Sequence, residues 1–363
     1  MKIAILGTRG IPNNYGGFEQ LAEYLSVALA ERGHKVYVYN SSLHPYRKKK
    51  YNGVNIIHCN DPENNFGKFG QFIYDLNCIR DSRKRNFDII LQLGYTSSSV
   101  WYFLLPQYSK IITNMDGLEW KRSKYSTAVK RFLKQAEKWA VKSSDVLVAD
   151  STGIQSHLKN KYGKDAELIS YGAFPFHDPD EKILSKYNLQ KGNYYLAIAR
   201  FEPENNIETI IKGYLKSNVA DPLVLIGSTQ NNYGKYIIST YTNERIKYFG
   251  TIYDLQHLNN LRYFSELYFH GHSVGGTNPS LLEAMASRAL ICAHENDFNK
   301  AVLGEDAFYF KDEDDIASCI SEQKNTDQRS RMITRNFKKI EEQYTWQNVI
   351  DAYEKLMLKI LNR

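Results

Sequence analysis

Short apolar runs alternate along this chain with longer stretches whose apolar residues recur every three or four positions. The runs predict strands at 2–6, 35–39, 54–58, 88–93, 110–113, 145–149 and 167–169. Between the first two runs, Leu21, Tyr24, Leu25, Ala28 and Leu29 form one stripe over 17–32, and Gly33 follows as a stop signal. The stretch 65–85 carries Phe69, Phe72, Ile73, Leu76 and Ile79 at similar spacing. Strands alternating with helices predict parallel strands joined by crossovers. The pattern breaks at 171–180 (Y-G-A-F-P-F-H-D-P-D), where two prolines and a glycine without periodicity read as a linker. It then resumes with strands at 194–199, 223–226, 246–249, 267–270, 290–293 and 307–310. Helices are predicted near 206–217, 254–264, 278–288 and 312–322. A last helix, 346–361, has Trp346, Val349, Ile350, Tyr353, Leu356 and Met357 on one face and no sheet of its own to follow. The fold class is α/β, as two doubly wound halves.

Composition narrows the picture. A length of 363 residues fits two domains. Hydrophobic residues at 42% and charged residues at 24% are ordinary for a globular chain, which excludes global disorder. No apolar run approaches a membrane span, and the opening run is too short for a signal peptide, so the expected location is cytoplasmic. Cys59, Cys78, Cys292 and Cys319 have neither metal nor redox spacing and read as buried thiols. The net charge of +7 is uneven. Through Pro175 there are 25 Lys and Arg against 15 Asp and Glu, giving +10; the remainder has 22 against 25, giving −3. The first half is therefore expected to meet something anionic.

In open α/β sheets ligands bind beyond the carboxyl ends of the strands, so the loops there matter most. The first, Gly7 to Glu19, lacks G-x-G-x-x-G, and no acid ends the second strand (Asn40-Ser41-Ser42), which argues against a dinucleotide site. Gly16 and Gly17 at a helix start still let backbone amides approach an anion. In the second, A-R-F-E-P-E-N-N, Arg200 follows a buried strand, where it can clamp a diphosphate or pair with Glu202 or Glu204. In the third, His270 to Ala286, Gly275 and Gly276 lead into a helix bearing Glu283 among apolar residues, suited to a ribose diol. His270 and His272 lack a third ligand at metal spacing. The fourth, Thr113 to Tyr125, is dense in Asp116, Glu119, Trp120, Lys121, Arg122 and Lys124, a set suited to a sugar or phosphate acceptor or to an ordinary solvated loop. The acidic run 312–315 reads as a helix start favoured by the dipole.

Together these loops resemble the retaining glycosyltransferases of family four, with the two-domain GT-B fold, over nearly the whole chain. The resemblance rests on the first Gly-Gly loop, I-S-Y-G-A at 169–173, Arg200, the segment 275–283 and the terminal Y-T-W at 344–346. G-T-R-G-I-P, M-D-G-L-E-W-K-R-S-K, P-E-N-N-I-E and H-G-H-S-V-G-G-T-N-P-S-L-L-E-A resemble the bacterial capsule and exopolysaccharide rhamnosyltransferase subgroup.

The resemblance implies a domain at 1–175 that binds acceptor, one at 176–343 that binds donor, and a helix at 344–363 crossing back to the first. It implies two facing Rossmann-like domains. The second Glu of the family's Glu-x7-Glu motif maps to Glu283, for the ribose. The first Glu falls at Gly275 and is missing, which implies an altered donor pocket with contacts from loop amides and His272. The diphosphate Arg maps to Arg200, and its companion Lys falls at Asn205, with Arg9 a candidate replacement. Donor-binding residues are thus Arg9, Gly16, Gly17, Arg200, Asn205, His272, Gly275, Gly276, Thr277, Asn278 and Glu283. Asp116, Arg200 and Glu283 are the catalytic set. Asp116, Glu119, Trp120, Lys121, Arg122 and Lys124 are the acceptor set.

The implied reaction is metal-independent transfer of a sugar, rhamnose from dTDP-rhamnose, onto a saccharide acceptor, lipid-linked, in capsular polysaccharide, exopolysaccharide or O-antigen synthesis. No cofactor is implied. The basic half would then approach the inner face of the plasma membrane through 46–51, 80–85 and 121–131. Alternatives are a UDP- or GDP-hexose donor, a nucleotide-sugar epimerase on the same fold, and a non-catalytic sugar-binding protein. No base-reading motif supports a nucleic-acid partner.

Overall fold

The computed structural model describes residues 1–115, 117–122, 125–322 and 326–362. The chain divides into two compact units, each built on its own sheet. The first contains Met1–Lys121, Tyr125–Tyr171 and the last helix; the second contains Gly172–Thr345 together with Arg122. The divisions fall at 171/172 and 345/346, where the sequence reading has 175/176 and 343/344.

In the first unit the strands are β1 (Lys2–Leu6), β2 (Lys35–Ser41), β3 (Lys50–Tyr51), β4 (Val54–Cys59), β5 (Ile89–Leu93), β6 (Lys110–Met115), β7 (Val146–Ala149) and β8 (Ala166–Leu168). They lie in the order β3-β4-β2-β1-β5-β6-β7-β8. Every pair is parallel except β3 with β4. That edge hairpin turns on Asn52-Gly53, both at positive φ (41° and 83°), the backbone an Asn-Gly hairpin loop needs. Chain order reverses between β1 and β5.

The helices of this unit are α1 (Gly17–Glu31), α2 (Glu63–Phe66), α3 (Gly70–Ser82), α4 (Thr127–Ser143) and α5 (Thr152–Tyr162). α1 buries Leu21, Ala22, Leu25 and Leu29 as its stripe requires. The single helix expected over 65–85 is instead α2, a 3-10 turn at Gly67–Phe69, and α3. Gly67 at φ 55° interrupts it. The break turns Phe69 out of the core, 64% exposed, while Tyr74, Cys78 and Ile79 pack with Ala4, Leu6, Tyr39 and Ile90 beneath.

The second unit carries β9 (Tyr195–Ile198), β10 (Leu223–Ile226), β11 (Ile246–Gly250), β12 (Leu267–His270), β13 (Ile291–His294) and β14 (Phe308–Phe310). Their order is β11-β10-β9-β12-β13-β14, all parallel, with the reversal between β9 and β12. Its helices are α6 (Lys182–Ser185), α7 (Ile207–Ser217), α8 (Asn232–Thr240), α9 (Leu255–Tyr263), α10 (Pro279–Ala286), α11 (Asp297–Leu303), α12 (Glu313–Glu322) and α13 (Thr326–Gln343). Ile207, Ile210, Ile211 and Tyr214 of α7 pack with Ile316 of α12 over Tyr195, Leu223 and Phe269. The acidic run opens α12: the Asp312 carboxylate accepts from the amides of Asp314 (2.9 Å) and Asp315 (3.1 Å).

α14 (Trp346–Leu361) returns to the first unit. Its face of Trp346, Val349, Ile350, Tyr353, Leu356 and Met357 is buried. Trp346 packs on Tyr24, ring centroids 4.7 Å apart. Arg32 pairs with Asp351 (2.6 Å) and Glu354 (2.5 Å), and His34 Nε2 meets the other Glu354 oxygen at 2.6 Å. The amide of Asn114 donates to the Tyr353 hydroxyl at 2.8 Å in full burial. All four cysteines are buried and free. Among the described residues no helix is long and apolar enough to cross a membrane.

Removing one buried hydroxyl tests how the last helix is anchored. Tyr353→Phe strips the Asn114 amide of its acceptor and is expected to cost about 1–3 kcal/mol. A lowered urea midpoint for the first unit, with helix content retained, checks it; an unchanged midpoint contradicts it.

Candidate active site

A parallel sheet opens a crevice where strand order reverses, because neighbouring crossovers leave in opposite directions there. In the second unit that point lies between β9 and β12, so the loops 199–206 and 271–278 leave side by side. Several bonds join them. The Asn206 amide donates to the Gly271 carbonyl at 2.8 Å, and Ser273 gives both its N–H (3.0 Å) and its hydroxyl (2.8 Å) to the Glu204 carbonyl. A Cβ on Gly271 would lie 2.1 Å from the Asn205 carbonyl oxygen, so only glycine permits this approach.

Arg200 stands exposed at the start of this arrangement. Asn205, in the place of the companion lysine, is buried, and its amide donates to the Arg200 carbonyl at 2.8 Å. It braces the backbone that carries Arg200 and adds no charge. Gly275 has φ 134°, a backbone that strains any side-chain-bearing residue, although the space beside it is open. The missing glutamate thus coincides with a loop path that favours glycine. His272 stacks on buried His270 with centroids 4.5 Å apart and planes 15° from parallel. Burial, then the nearby Arg200 and Arg122, push the His272 pKa down to about 3, so it stays neutral. Among the described residues its Nδ1 and both nitrogens of His270 have no hydrogen-bond partner. Arg122 groups with this unit and donates to buried Glu204 at 3.2 Å.

Beyond Gly276 and buried Thr277, Asn278 caps α10 by accepting from the Ser280 amide at 2.9 Å, and Pro279 opens the helix. Glu283, one turn in, is bound by a residue the sequence reading missed. Arg262 of α9, 1% exposed, donates to Glu283 Oε2 at 2.5 Å and to Asn259 Oδ1 at 3.2 Å. Ser287 donates to the same Asn259 oxygen at 3.2 Å. The pair holds Glu283 in one orientation.

In the first unit the reversal lies between β1 and β5, and the residues there largely satisfy one another. Arg9 forms a two-pronged pair with Glu63 (2.7 and 3.0 Å) and lies over Tyr15, 4.4 Å from the ring centroid. Its charge is balanced where the sequence reading left it free. Buried Glu19 accepts the Arg9 N–H at 2.9 Å; burial raises its pKa against the pull of that amide and those of Glu19 and Gly16. A carboxylate of the chain itself thus faces the Gly16-Gly17 helix start. Asn40 exchanges both bonds with Ile11 (2.8 and 3.1 Å), fixing the loop. Deeper lie Asp61, which accepts from Ser41 at 2.6 Å, and Asp75, which accepts from Ser97 at 2.5 Å. Burial pushes the Asp75 pKa up to about 7.

Among the described residues the acceptor set is divided, Glu119, Trp120 and Lys121 belonging to the first unit and Arg122 to the second. Asp116 and Lys124 lie outside the described residues. Glu119, Trp120 and Lys121 form a 3-10 turn. The Trp120 indole donates to buried Glu137 at 3.1 Å, and Glu137 also takes His157 (3.0 Å), Lys161 (2.7 Å) and Tyr162 (2.7 Å). Burial opposes ionisation of Glu137, yet these donors hold its pKa below the ordinary value. Lys121, Lys134 and Lys161 lie over the Trp120 ring at 5.8, 4.8 and 5.5 Å. Trp120 is therefore tied into the unit's own framework, although its aromatic type had marked it for sugar stacking.

Residues 1–174 match a domain of unknown function (DUF1972). No curated protein matches the chain. Solved structures match across almost its whole length. Sucrose-phosphate synthase from Thermosynechococcus elongatus is 14% identical, with 99% of each chain covered and a TM-score of 0.83. HepE from Anabaena, in complex with UDP and glucose, is 13% identical over 99% of this chain and 100% of that one, TM-score 0.77. A glycosyltransferase from Rickettsia africae is 16% identical over 99% of each, TM-score 0.72. The fold class is GT-B, with the last helix returned to the first unit.

Asp75 gives a pH-dependent expectation. Its raised folded pKa means that the unfolded chain loses this proton first, near pH 4. Stability therefore falls as pH rises from about 4 to about 7, then levels. Asp75→Asn keeps an acceptor for Ser97 and removes the buried charge. Its urea midpoint should gain on the parent's between pH 4.5 and 8; a difference independent of pH contradicts the assignment.

Proposed function

We propose that the chain is a retaining glycosyltransferase that uses a nucleotide diphosphate sugar. One observation carries the reading: a single switch-point crevice presents Arg200, a glycine loop, a capped helix start and a pinned carboxylate. The crevice is suited to a nucleotide diphosphate from end to end. Glu283 accepts the ribose hydroxyls, held in place by Arg262. Arg200, the amides of 275–277 and the start of α10 balance the diphosphate, and neutral His272 faces the sugar. HepE, of the same fold, binds UDP, glucose and UDP-glucose, which supports a donor of this class.

The chemistry follows from where charge develops. The sugar C1–O bond to the diphosphate breaks, and C1 bonds to an acceptor oxygen on the same face. The acceptor proton passes to the departing phosphate oxygen. Stabilising that leaving group is then the main task, and Arg200 is the cation at hand. We assign rhamnose from dTDP-rhamnose as donor, because Gly275 leaves room where a glutamate would address a sugar hydroxyl. The acceptor is a lipid-linked saccharide of capsule, exopolysaccharide or O-antigen synthesis, received by the first unit, whose buried Asp61 and Asp75 suit sugar hydroxyls. A UDP-hexose donor is the second reading, favoured by the HepE complexes.

Incubation with dTDP-rhamnose, UDP-hexoses or GDP-hexoses and a lipid-linked acceptor tests the donor; transfer from a hexose donor alone would falsify rhamnose. Formation of an epimerised nucleotide sugar without acceptor points instead to an epimerase. Arg200→Ala should lower kcat/KM by about 10²–10³, whereas a non-catalytic binder would show weakened binding alone. Arg262→Met removes the arginine that orients Glu283 and should raise the donor KM more than it lowers kcat. EDTA should leave the rate unchanged.

A further inference from the structure

Six aromatic rings run in contact across one face of the first unit. Phe69 stacks on Phe72 (5.5 Å), Phe72 meets Phe132 (5.8 Å), and Phe132 meets Trp139 (6.5 Å). Trp139 stacks on Tyr102 (6.2 Å), which abuts Phe103 (5.8 Å). The two ends of the row, Phe69 and Phe103, are 64% and 63% exposed, and Phe66 beside Phe69 is 60% exposed. Large apolar groups so exposed and so connected are costly in water unless something covers them.

On this face α4 carries exposed charge of one sign. Arg131, Lys134, Lys138 and Lys142 are spaced three, four and four residues apart on α4, so they form one exposed stripe. The helix's single acid, Glu137, is buried under Trp120, Lys161 and Tyr162. Lys142 reaches over the Tyr102 ring at 5.4 Å, which joins the stripe to the aromatic row. Phe132 and Trp139, on the flank of the stripe, belong to α4 itself.

We propose that this face, α4 with the aromatic row from Phe69 to Phe103, docks on an anionic phospholipid bilayer. Aromatic rings settle at the level of the headgroups, where one side is apolar and the other wet. Lysine and arginine stems lie along the apolar surface while their heads reach lipid phosphates. A second copy of the chain fits less well. A two-fold interface would set the stripe against itself, like charge on like. The placement deepens the reading of a lipid-linked acceptor and rests on it for purpose, though the surface needs no donor chemistry.

Vesicle sedimentation of the full chain tests it, without donor or acceptor present. Mixed phosphatidylcholine–phosphatidylglycerol vesicles should bind the protein, phosphatidylcholine alone much more weakly, and added salt should weaken binding. The triple change Arg131→Glu, Lys138→Glu, Lys142→Glu should lower vesicle affinity by at least about a hundredfold. Phe69→Ser with Phe103→Ser should lower it severalfold and leave more of the salt dependence intact. Transfer to a water-soluble acceptor should be unchanged in both variants. Equal binding to both vesicle types, no binding, or a dimer dissolved by the phenylalanine changes overturns the proposal. Vesicle binding without transfer from any donor sinks the glycosyltransferase reading alone. Transfer without vesicle binding sinks this surface alone.

Discussion

The second unit depends on how closely two loops approach at the reversal of its sheet. Gly271 lies against the Asn205 carbonyl with no room for a Cβ, and Asn206 closes the gap by donating to the Gly271 carbonyl. That contact sets the height at which both loops leave the strands. Arg200 stands on one of them, and His272, Gly275 and Asn278 follow on the other. Each of the bonds between the loops uses a backbone group that would otherwise need water at the edge of a buried sheet. The crevice is therefore largely formed before any ligand arrives, the condition under which fixed donors stabilise developing charge well.

Electrostatics in the crevice are sparing. Where the family resemblance implies a second cation there is a buried asparagine, and where it implies a carboxylate there is a glycine at positive φ. One positive and one negative charge are absent together, which leaves the net charge of the pocket as it would have been. The remaining carboxylate, Glu283, is bound by Arg262. A buried pair of this kind contributes little net stability, since desolvation offsets attraction, but removing either partner is costly. Its worth lies in orientation: one oxygen of Glu283 is committed to Arg262, and the group cannot swing. His272, neutral through burial and neighbouring arginines, offers hydrogen bonding without charge.

Much of this was legible in the chain. Runs such as 195–198 and 267–270 are apolar on both faces, as strands buried between helix layers must be, and the loops after them were readable from strand ends alone. Arg200 and Glu283 stood out by position. What escaped was partner choice. Arg262 lies in an amphipathic helix where an arginine reads as solvated, yet it is 1% exposed. Arg9 looked available and is bound to Glu63, 54 positions away. Trp120 looked like a sugar platform and is held by Glu137. These outcomes depend on which side chains tertiary packing brings together, and no local spacing encodes that. Phe69 shows a different kind of miss: its spacing with Phe72, Ile73 and Leu76 reads as a buried stripe, but Gly67 at positive φ breaks the helix and α3 buries Tyr74, Cys78 and Ile79 instead.

The same distinction changes what the basic excess of the first half means. A sum of +10 does not say which charges reach a partner. Arg9, Arg32 and Lys161 are neutralised within the unit by Glu63, by Asp351 with Glu354, and by Glu137. The α4 stripe is different, since its helix offers it no exposed acid. A sugar diphosphate needs few cations, deeply placed and oriented; a charged plane needs many, shallow and spread over more than a Debye length. The crevice around Arg200 in the second unit has few cations, Arg200 itself exposed and Arg262 buried. The second pattern is what α4 provides, beside rings that water solvates poorly. Two arrangements of cations thus coexist in the chain: few around the crevice, and an exposed stripe along α4.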